Sequence, residues 1–224
     1  MIVSFSRNFI FIKTKKTAGS TVEAVLATGC LKSDIVTIPS IKYVGMDPNK
    51  LGSEFETDID NEELESKRHG KKRGDFFNHM MAEEISRKID PLFWKDALKI
   101  TVERHPYEKA VSQAYFRIGK VRKYRDDFPA YLDKVVRTGD FIGFKRWSVD
   151  GKSVINEFIR QETLTEDVAR IGRRLGIAVP TELPRLKSRT RVDRRPAKEI
   201  LSDEQKEIVY SRCREEFEIL GYER

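Results

Sequence analysis

Residues 8–26 read NFIFIKTKKTAGSTVEAVL, and the fold follows from how this stretch is parsed. Phe9-Ile10-Phe11-Ile12 is an unbroken apolar run, the pattern of a short strand buried on both faces. A basic, hydroxyl-rich turn follows from Lys13 to Thr21. Val22, Val25 and Leu26 then recur at helical spacing, with Gly29 placed to end the helix. A strand that feeds such a turn into a helix N-terminus is suited to hold a phosphate. The helix's first N–H groups point outward, its dipole favours an anion, and Gly19 allows close backbone approach.

The ATP-binding form of this turn, GxxxxGK(S/T), is absent. The order is instead Lys15-Lys16-Thr17-Ala18-Gly19-Ser20-Thr21, with the lysine ahead of the glycine. This order resembles the 5′-phosphosulfate loop of sulfotransferases that use 3′-phosphoadenosine 5′-phosphosulfate (PAPS), above all their carbohydrate branch, whose loop is roughly PKTAGT(S/T). Lys15 stands where that family has proline. The resemblance implies that residues Lys15 to Thr21 cradle the 5′-phosphate and that Lys16 reaches the bridging oxygen. The alternative is an ordinary strand–turn–helix with a solvated lysine cluster.

The 224 residues suffice for one domain spanning 1–224. A hydrophobic content of 39% supports a core, and the net charge of +7 with pI near 9.3 calls for anionic partners. No stretch approaches the roughly 20 apolar residues of a membrane-spanning helix, and no signal peptide is visible. Cys30 and Cys213 lack metal-ligand spacing, so a reducing cytoplasm is the expected location and no metal site is expected. Animal members of the carbohydrate branch carry an N-terminal tether, so the resemblance points here to a soluble bacterial or viral form.

Along the chain, Asp34 to Ile38 reads as a strand ended by Pro39. Residues 41–77 lack periodicity and form a long excursion on the substrate side. Asn78 is placed to cap a helix running to about Ile89, with Met81, Ala82, Ile85 and Ile89 on its core stripe. Ala97 to Val102 is the next strand. The helix after it puts Ala110, Val111, Ala114, Tyr115 and Ile118 on one face. Further helices are expected near Phe128–Val136, Val154–Arg160 and Thr165–Leu175, the last ended by Gly176. Leu183 to Pro196 is a basic loop. A capping box at Ser202 and Gln205 opens a final helix carrying Val209, Cys213, Phe217 and Leu220 to Gly221. The expected class is α/β, a P-loop-type three-layer sandwich with a central parallel sheet and a helix-rich C-terminal half.

A second anion anchor is expected at the strand exit Glu103-Arg104-His105-Pro106-Tyr107-Glu108-Lys109-Ala110-Val111-Ser112. Pro106 suits the first helical position, and Ser112 lies less than two turns on, so Arg104 and Ser112 can converge on one phosphate. The stretch is similar to the VR(D/N)P(Y/W)ERLVSAY element that holds the 3′-phosphate in sulfotransferases. His79 to Ile85 followed by Trp94 resembles the HxxAxEI…W run of bacterial members, and Leu183 to Ser188 is similar to the family's LPxxNxS piece. The resemblance implies in-line sulfuryl transfer from PAPS to an acceptor hydroxyl or amine, without a metal. It favours a saccharide or glycolipid acceptor, which the basic surface would suit if acidic. It adds Lys187, Ser188 and Arg189 as a basic gate over the cofactor and His79 as general base. The reading from the residues has His79 at a helix start, where the dipole keeps the ring neutral, and Asp75 is the substitute base.

Two other classes stay open at this point. A P-loop kinase would need a GK(S/T) turn and a strand-end aspartate. A nucleic-acid-binding protein would use Arg117–Arg125 and Arg185–Arg195 with Tyr115, Phe116 and Tyr124 as stacking platforms.

Overall fold

The computed structural model describes residues 1–37, 40–51, 72–73, 75–124, 126–186 and 191–224. The strands are β1 (Ile2–Ser4), β2 (Phe9–Ile12), β3 (Ile35–Val36), β4 (Lys72–Arg73), β5 (Phe76–Phe77), β6 (Leu98–Glu103), β7 (Ser148–Val149), β8 (Lys152–Ser153) and β9 (Glu157–Arg160). The α-helices are α1 (Gly19–Ala27), α2 (Ala82–Ser86), α3 (Pro91–Asp96), α4 (Pro106–Ile118), α5 (Phe128–Thr138), α6 (Phe144–Trp147), α7 (Leu164–Leu175), α8 (Ala197–Ile200), α9 (Asp203–Arg212) and α10 (Arg214–Leu220).

The described residues fall into two compact units. Met1–Thr14, Ala18–Glu103 and Lys145–Leu186 make the first; Lys15–Thr17, Arg104–Phe144 and Lys187–Arg224 make the second. The first unit is α/β. Its five-stranded sheet runs in the order β3-β1-β2-β6-β9, with β2, β6 and β9 parallel and β1 antiparallel to both β2 and β3. The sheet is therefore mixed, and the expectation of a purely parallel one is corrected. The reason is local: only Phe5 to Asn8 separate β1 from β2, and so short a link can join strands only as a hairpin. β2 is buried at every position, as its continuous apolar run requires. Phe9, Phe11, Ile100, Val102 and Ile159 of the sheet share a core with Val22, Val25 and Leu26 of α1 and with Val168 and Ile171 of α7.

Several local expectations are corrected here. Val154–Arg160 is not a helix: Glu157–Arg160 is β9, registered on Ile100–Glu103 of β6. Asn78 caps no helix. α2 begins at Ala82 after Met81, and Met80 is the buried residue while Met81 is exposed. α1 stops at Ala27 with Thr28 still right-handed, so Gly29 is not a left-handed stop. A Cβ on Gly29 would meet Ile177 Cγ1 at 2.6 Å, so glycine there answers a packing demand. The strand expected over Asp34–Ile38 is two residues long, and Ile38 and Pro39 lie outside the described residues. Most of the 41–77 excursion also lies outside them. Its described parts are single turns at Ser40–Tyr43 and Pro48–Lys50 and the β4–β5 hairpin.

The second unit is helical. α4, α5, α8, α9 and α10 bury Ala110, Val111, Ala114, Leu132, Val136, Ala197, Val209, Cys213 and Phe217 in one core. Pro106 opens α4, and His105 Nδ1 caps it by accepting from Tyr107 N. The Ser202–Gln205 capping box is formed, but the last helix breaks at Cys213 into α9 and α10. Gly176, at φ +62°, ends α7 as expected. Among the described residues no helix is long and apolar enough to cross a membrane.

Candidate anion-binding site

The turn after β2 has an unusual backbone. Lys16 and Ala18 both have left-handed φ, +62° and +64°, and Thr17 between them does not. Alternating signs point successive N–H groups to one side, the concavity that holds anions in phosphate loops. The left-handed state costs a non-glycine residue about 1–2 kcal/mol. Five described non-glycine residues adopt it, and three are Lys16, Ala18 and His79, all candidates from the sequence. Such strain gathers where geometry serves function. α1 follows with no side-chain cap and no acidic residue in its first turn, which leaves its positive end to an outside anion.

Not every residue of the turn faces a ligand. Lys13, fully sequestered, pairs with Glu23 of α1, which also takes the Met1 amino group. Burial opposes a charge on Glu23, but these two cations hold its carboxyl well below the usual range. Thr14 Oγ1 donates to Val102 O, and the Thr21 hydroxyl to Pro184 O at 2.8 Å. Gly19 has a packing role: a Cβ there would meet Lys13 Cγ at 3.1 Å and Val102 Cγ1 at 3.4 Å. Ser20 is half-buried at the start of α1.

In the helical unit, Lys15 Nζ meets Asp140 Oδ1 at 2.6 Å, and Asp140 Oδ2 accepts from Gln113 Nε2 at 2.6 Å. Burial opposes the Asp140 charge, but Lys15, Arg117 and Gln113 lower its pKa. Lys16 Nζ rests 3.9 Å from the centre of the Phe116 ring. One stripe of α4 thus carries Glu108, Ser112 and Phe116 four residues apart. At its N-terminal end Arg104 Nη2 lies 2.9 Å from Glu108 Oε2, and Arg191 Nη1 pairs with the same oxygen. Glu108 Oε1 accepts from Ala197 N at 2.7 Å. Burial opposes the Glu108 charge, but Ala197 N–H and the two guanidinium groups lower its pKa. One carboxylate between two arginines leaves this end of the stripe positive, with the buried Ser112 one turn away. Arg104, ahead of α4, reaches Glu108 in its first turn, and Ser112 lies one turn further along the helix. Gln113, Asp140 and Glu108 carry no site signal in the sequence, since their roles depend on partners remote in it.

His79 sits in the β/α unit, in the turn before α2 rather than at a helix start. Its Nδ1 is 3.2 Å from Lys13 O, and Arg146 Nη1 donates to His79 O at 2.6 Å. A carbonyl can only accept, so Nδ1 carries the proton and Nε2 keeps its lone pair. Burial first, then Lys13, the Met1 amine and Arg146, push the His79 pKa well below 6.5, against Glu23. The ring is neutral for these reasons, and the helix-dipole account is corrected. Asp75, the substitute base, is exposed and 3.8 Å from Lys88 Nζ.

Lys187, Ser188, Arg189 and His69 lie outside the described residues. Glu103 is buried and accepts from Trp147 Nε1 at 2.8 Å. Of the aromatics suggested for base stacking, Tyr115 stacks on Phe128 with centroids 4.1 Å apart, Tyr124 packs on Tyr131, and Phe116 lies under Lys16. Among the described residues no group of three His, Cys, Asp or Glu side chains is placed to hold a metal ion. Comparison with protein-family models, with curated proteins and with solved structures finds no match for this chain.

Proposed function

We propose that this chain is a PAPS-dependent sulfotransferase acting on a hydroxyl or amine of a saccharide or glycolipid. The observation that carries the reading is the alternating left-handed turn at Lys16 and Ala18, set against a helix start with no cap of its own. The finer fold expectation, a P-loop-type sandwich, belongs to the same reading. It is supported by a parallel β2-β6-β9 core with the turn at the C-terminal end of β2. A cytoplasmic location belongs to it as well. The engagement of Tyr115, Phe116 and Tyr124 inside the fold argues against stacked nucleic acid bases.

The reading gives each phosphate of the cofactor its own set of residues. Backbone N–H groups from Thr17 to Thr21 would hold the 5′-phosphate, and Arg104 with Ser112 the 3′-phosphate, a fork and a hydroxyl donor. PAPS supplies the sulfuryl group. Lys16 would leave the Phe116 ring to neutralise charge on the departing phosphate oxygen. His79 Nε2 would accept the proton released by the acceptor as its oxygen or nitrogen bonds to sulfur. Lys187, Ser188 and Arg189 remain assigned as a basic gate through the resemblance alone.

Calorimetry with 3′,5′-bisphosphoadenosine, AMP and ATP tests the reading. The bisphosphate should bind far more tightly than the other two, because only it satisfies both anchors. Equal or tighter binding of ATP would overturn the proposal.

A further inference from the structure

We propose that Arg146 is the positioning residue of His79: its guanidinium holds the strained backbone of that histidine, so that the ring keeps one tautomer and Nε2 stays a proton acceptor. The use of this acceptor as a catalytic base rests on the sulfotransferase reading above; the tautomer does not. His79 has φ +64°, a state that a residue with a Cβ keeps only where its surroundings impose it. The turn's own hydrogen bond is a poor restraint, since Met80 N lies 3.4 Å from Phe77 O. Met80 is wholly buried and anchors the next residue, but an apolar side chain does not fix the direction of a peptide plane. Arg146 Nη1 does so directly, donating to His79 O at 2.6 Å. A hydrogen bond from a charged donor is roughly twice as strong as one between neutral groups.

Both ends of this arrangement are fixed. The residue after Arg146 is Trp147, wholly buried, with Nε1 donating to Glu103 Oε1 at 2.8 Å and its ring edge-on to Phe158 at a centroid distance of 5.2 Å. The carbonyl that receives the His79 Nδ1 proton, Lys13 O, sits in an equally firm frame. Thr101 Oγ1 donates to Ile12 O at 2.7 Å, Thr14 Oγ1 donates to Val102 O, and Lys13 Nζ pairs with buried Glu23. The imidazole therefore has one stationary acceptor to find, and the His79 peptide decides whether it reaches it. A ring released from Lys13 O is free to carry its proton on either nitrogen. The guanidinium also acts through its charge. Burial first, then Lys13 and the Met1 amine, lower the His79 pKa against the opposing pull of Glu23, and Arg146 adds to the lowering. One side chain thus serves both requirements of a base, an aimed lone pair and a ring that is not already protonated.

Imidazole ¹⁵N NMR of the full chain tests the proposal without reference to sulfuryl transfer. The sequence has three histidines, and His79→Asn identifies the signals of this one. The wild-type ring should be a single Nδ1–H tautomer that stays uncharged to well below pH 6.5; an Nε2–H ring would overturn the proposal. Arg146→Met should keep the wild-type circular dichroism and the calorimetric affinity for 3′,5′-bisphosphoadenosine. Its His79 should become a mixture of tautomers and titrate at higher pH, toward 6.5. Arg146→Lys returns a cationic donor and should return the single tautomer, a rescue that a merely space-filling role would not produce. A folded Arg146→Met whose His79 keeps the wild-type tautomer and titration would overturn the assignment. Should that variant fail to fold, the same two readouts on Arg146→Gln decide, with an unchanged titration counting against the proposal because the charge is gone. Failure of the wild type to bind the bisphosphate would remove the sulfotransferase reading alone, and the tautomer would still decide the role of Arg146.

Discussion

Lys15 Nζ lies 2.6 Å from Asp140 Oδ1, across 125 positions of sequence. The ion pair tethers the start of the turn to a residue remote in sequence. Asp140 is itself steadied by Gln113 and Arg117.

Asp140→Ala should therefore loosen the turn. The half-exposed pair contributes about 1 kcal/mol or less to stability, so the fold survives, and bisphosphate affinity should fall about three- to tenfold. Lys15 is not among the residues with left-handed φ, which would exclude proline outright. Adding Lys15→Pro to Asp140→Ala should restore affinity in calorimetry. A loss that proline does not repair would mean that Asp140 does not act by holding the turn.

His79 gives a pH signature with a definite sign. Its folded pKa is lowered, so in acid the unfolded chain takes up a proton that the native state refuses. Its contribution is harmless above about pH 6.5 and destabilising below it, by at most about 1.4 kcal/mol per pH unit. His79→Asn should flatten that part of the stability-against-pH curve measured by urea unfolding, since asparagine tolerates the +64° φ. The variant should also lose turnover while binding bisphosphate normally. Near-normal turnover would place the base elsewhere.

Ala18→Gly should stabilise the chain by about 0.5–1 kcal/mol in thermal melts, because glycine accepts φ +64° without strain. Gly19→Ala next to it should destabilise, since its Cβ would crowd Lys13 Cγ and Val102 Cγ1. Gains from both substitutions would contradict the turn's geometry.

Lys109 and Glu216 form a fully buried pair at 2.8 Å, and Glu216 Oε1 also accepts from Gly143 N and Phe144 N. Lys109→Met should cost about 3–5 kcal/mol by leaving a buried carboxylate uncompensated. Lys109→Met with Glu216→Gln should recover much of it, because the amide oxygen still serves both N–H groups. Chemical denaturation of the two variants measures the difference.

The sequence alone determined the elements whose cause lies within a few residues. The apolar run Phe9–Ile12 made β2 a buried strand, Pro106 opened α4, Ser202 and Gln205 capped α9, and Gly176 stopped α7. It also set Arg104 at the exit of β6 and Ser112 inside α4. Tertiary structure alone decided the rest. β9 is four residues with Glu157 and Arg160 at its ends, and it is a strand because β6 offers it hydrogen bonds. Of the lysines in the turn, Lys13 is consumed by Glu23, Lys15 by Asp140, and Lys16 rests on Phe116. Arg104 and Arg191 share Glu108, and burial with Lys13, rather than a helix dipole, keeps His79 neutral. Periodicity and capping are local and leave their mark on neighbouring residues. Strand partners, ion pairs and desolvation join residues far apart in sequence, and only the folded chain brings them together.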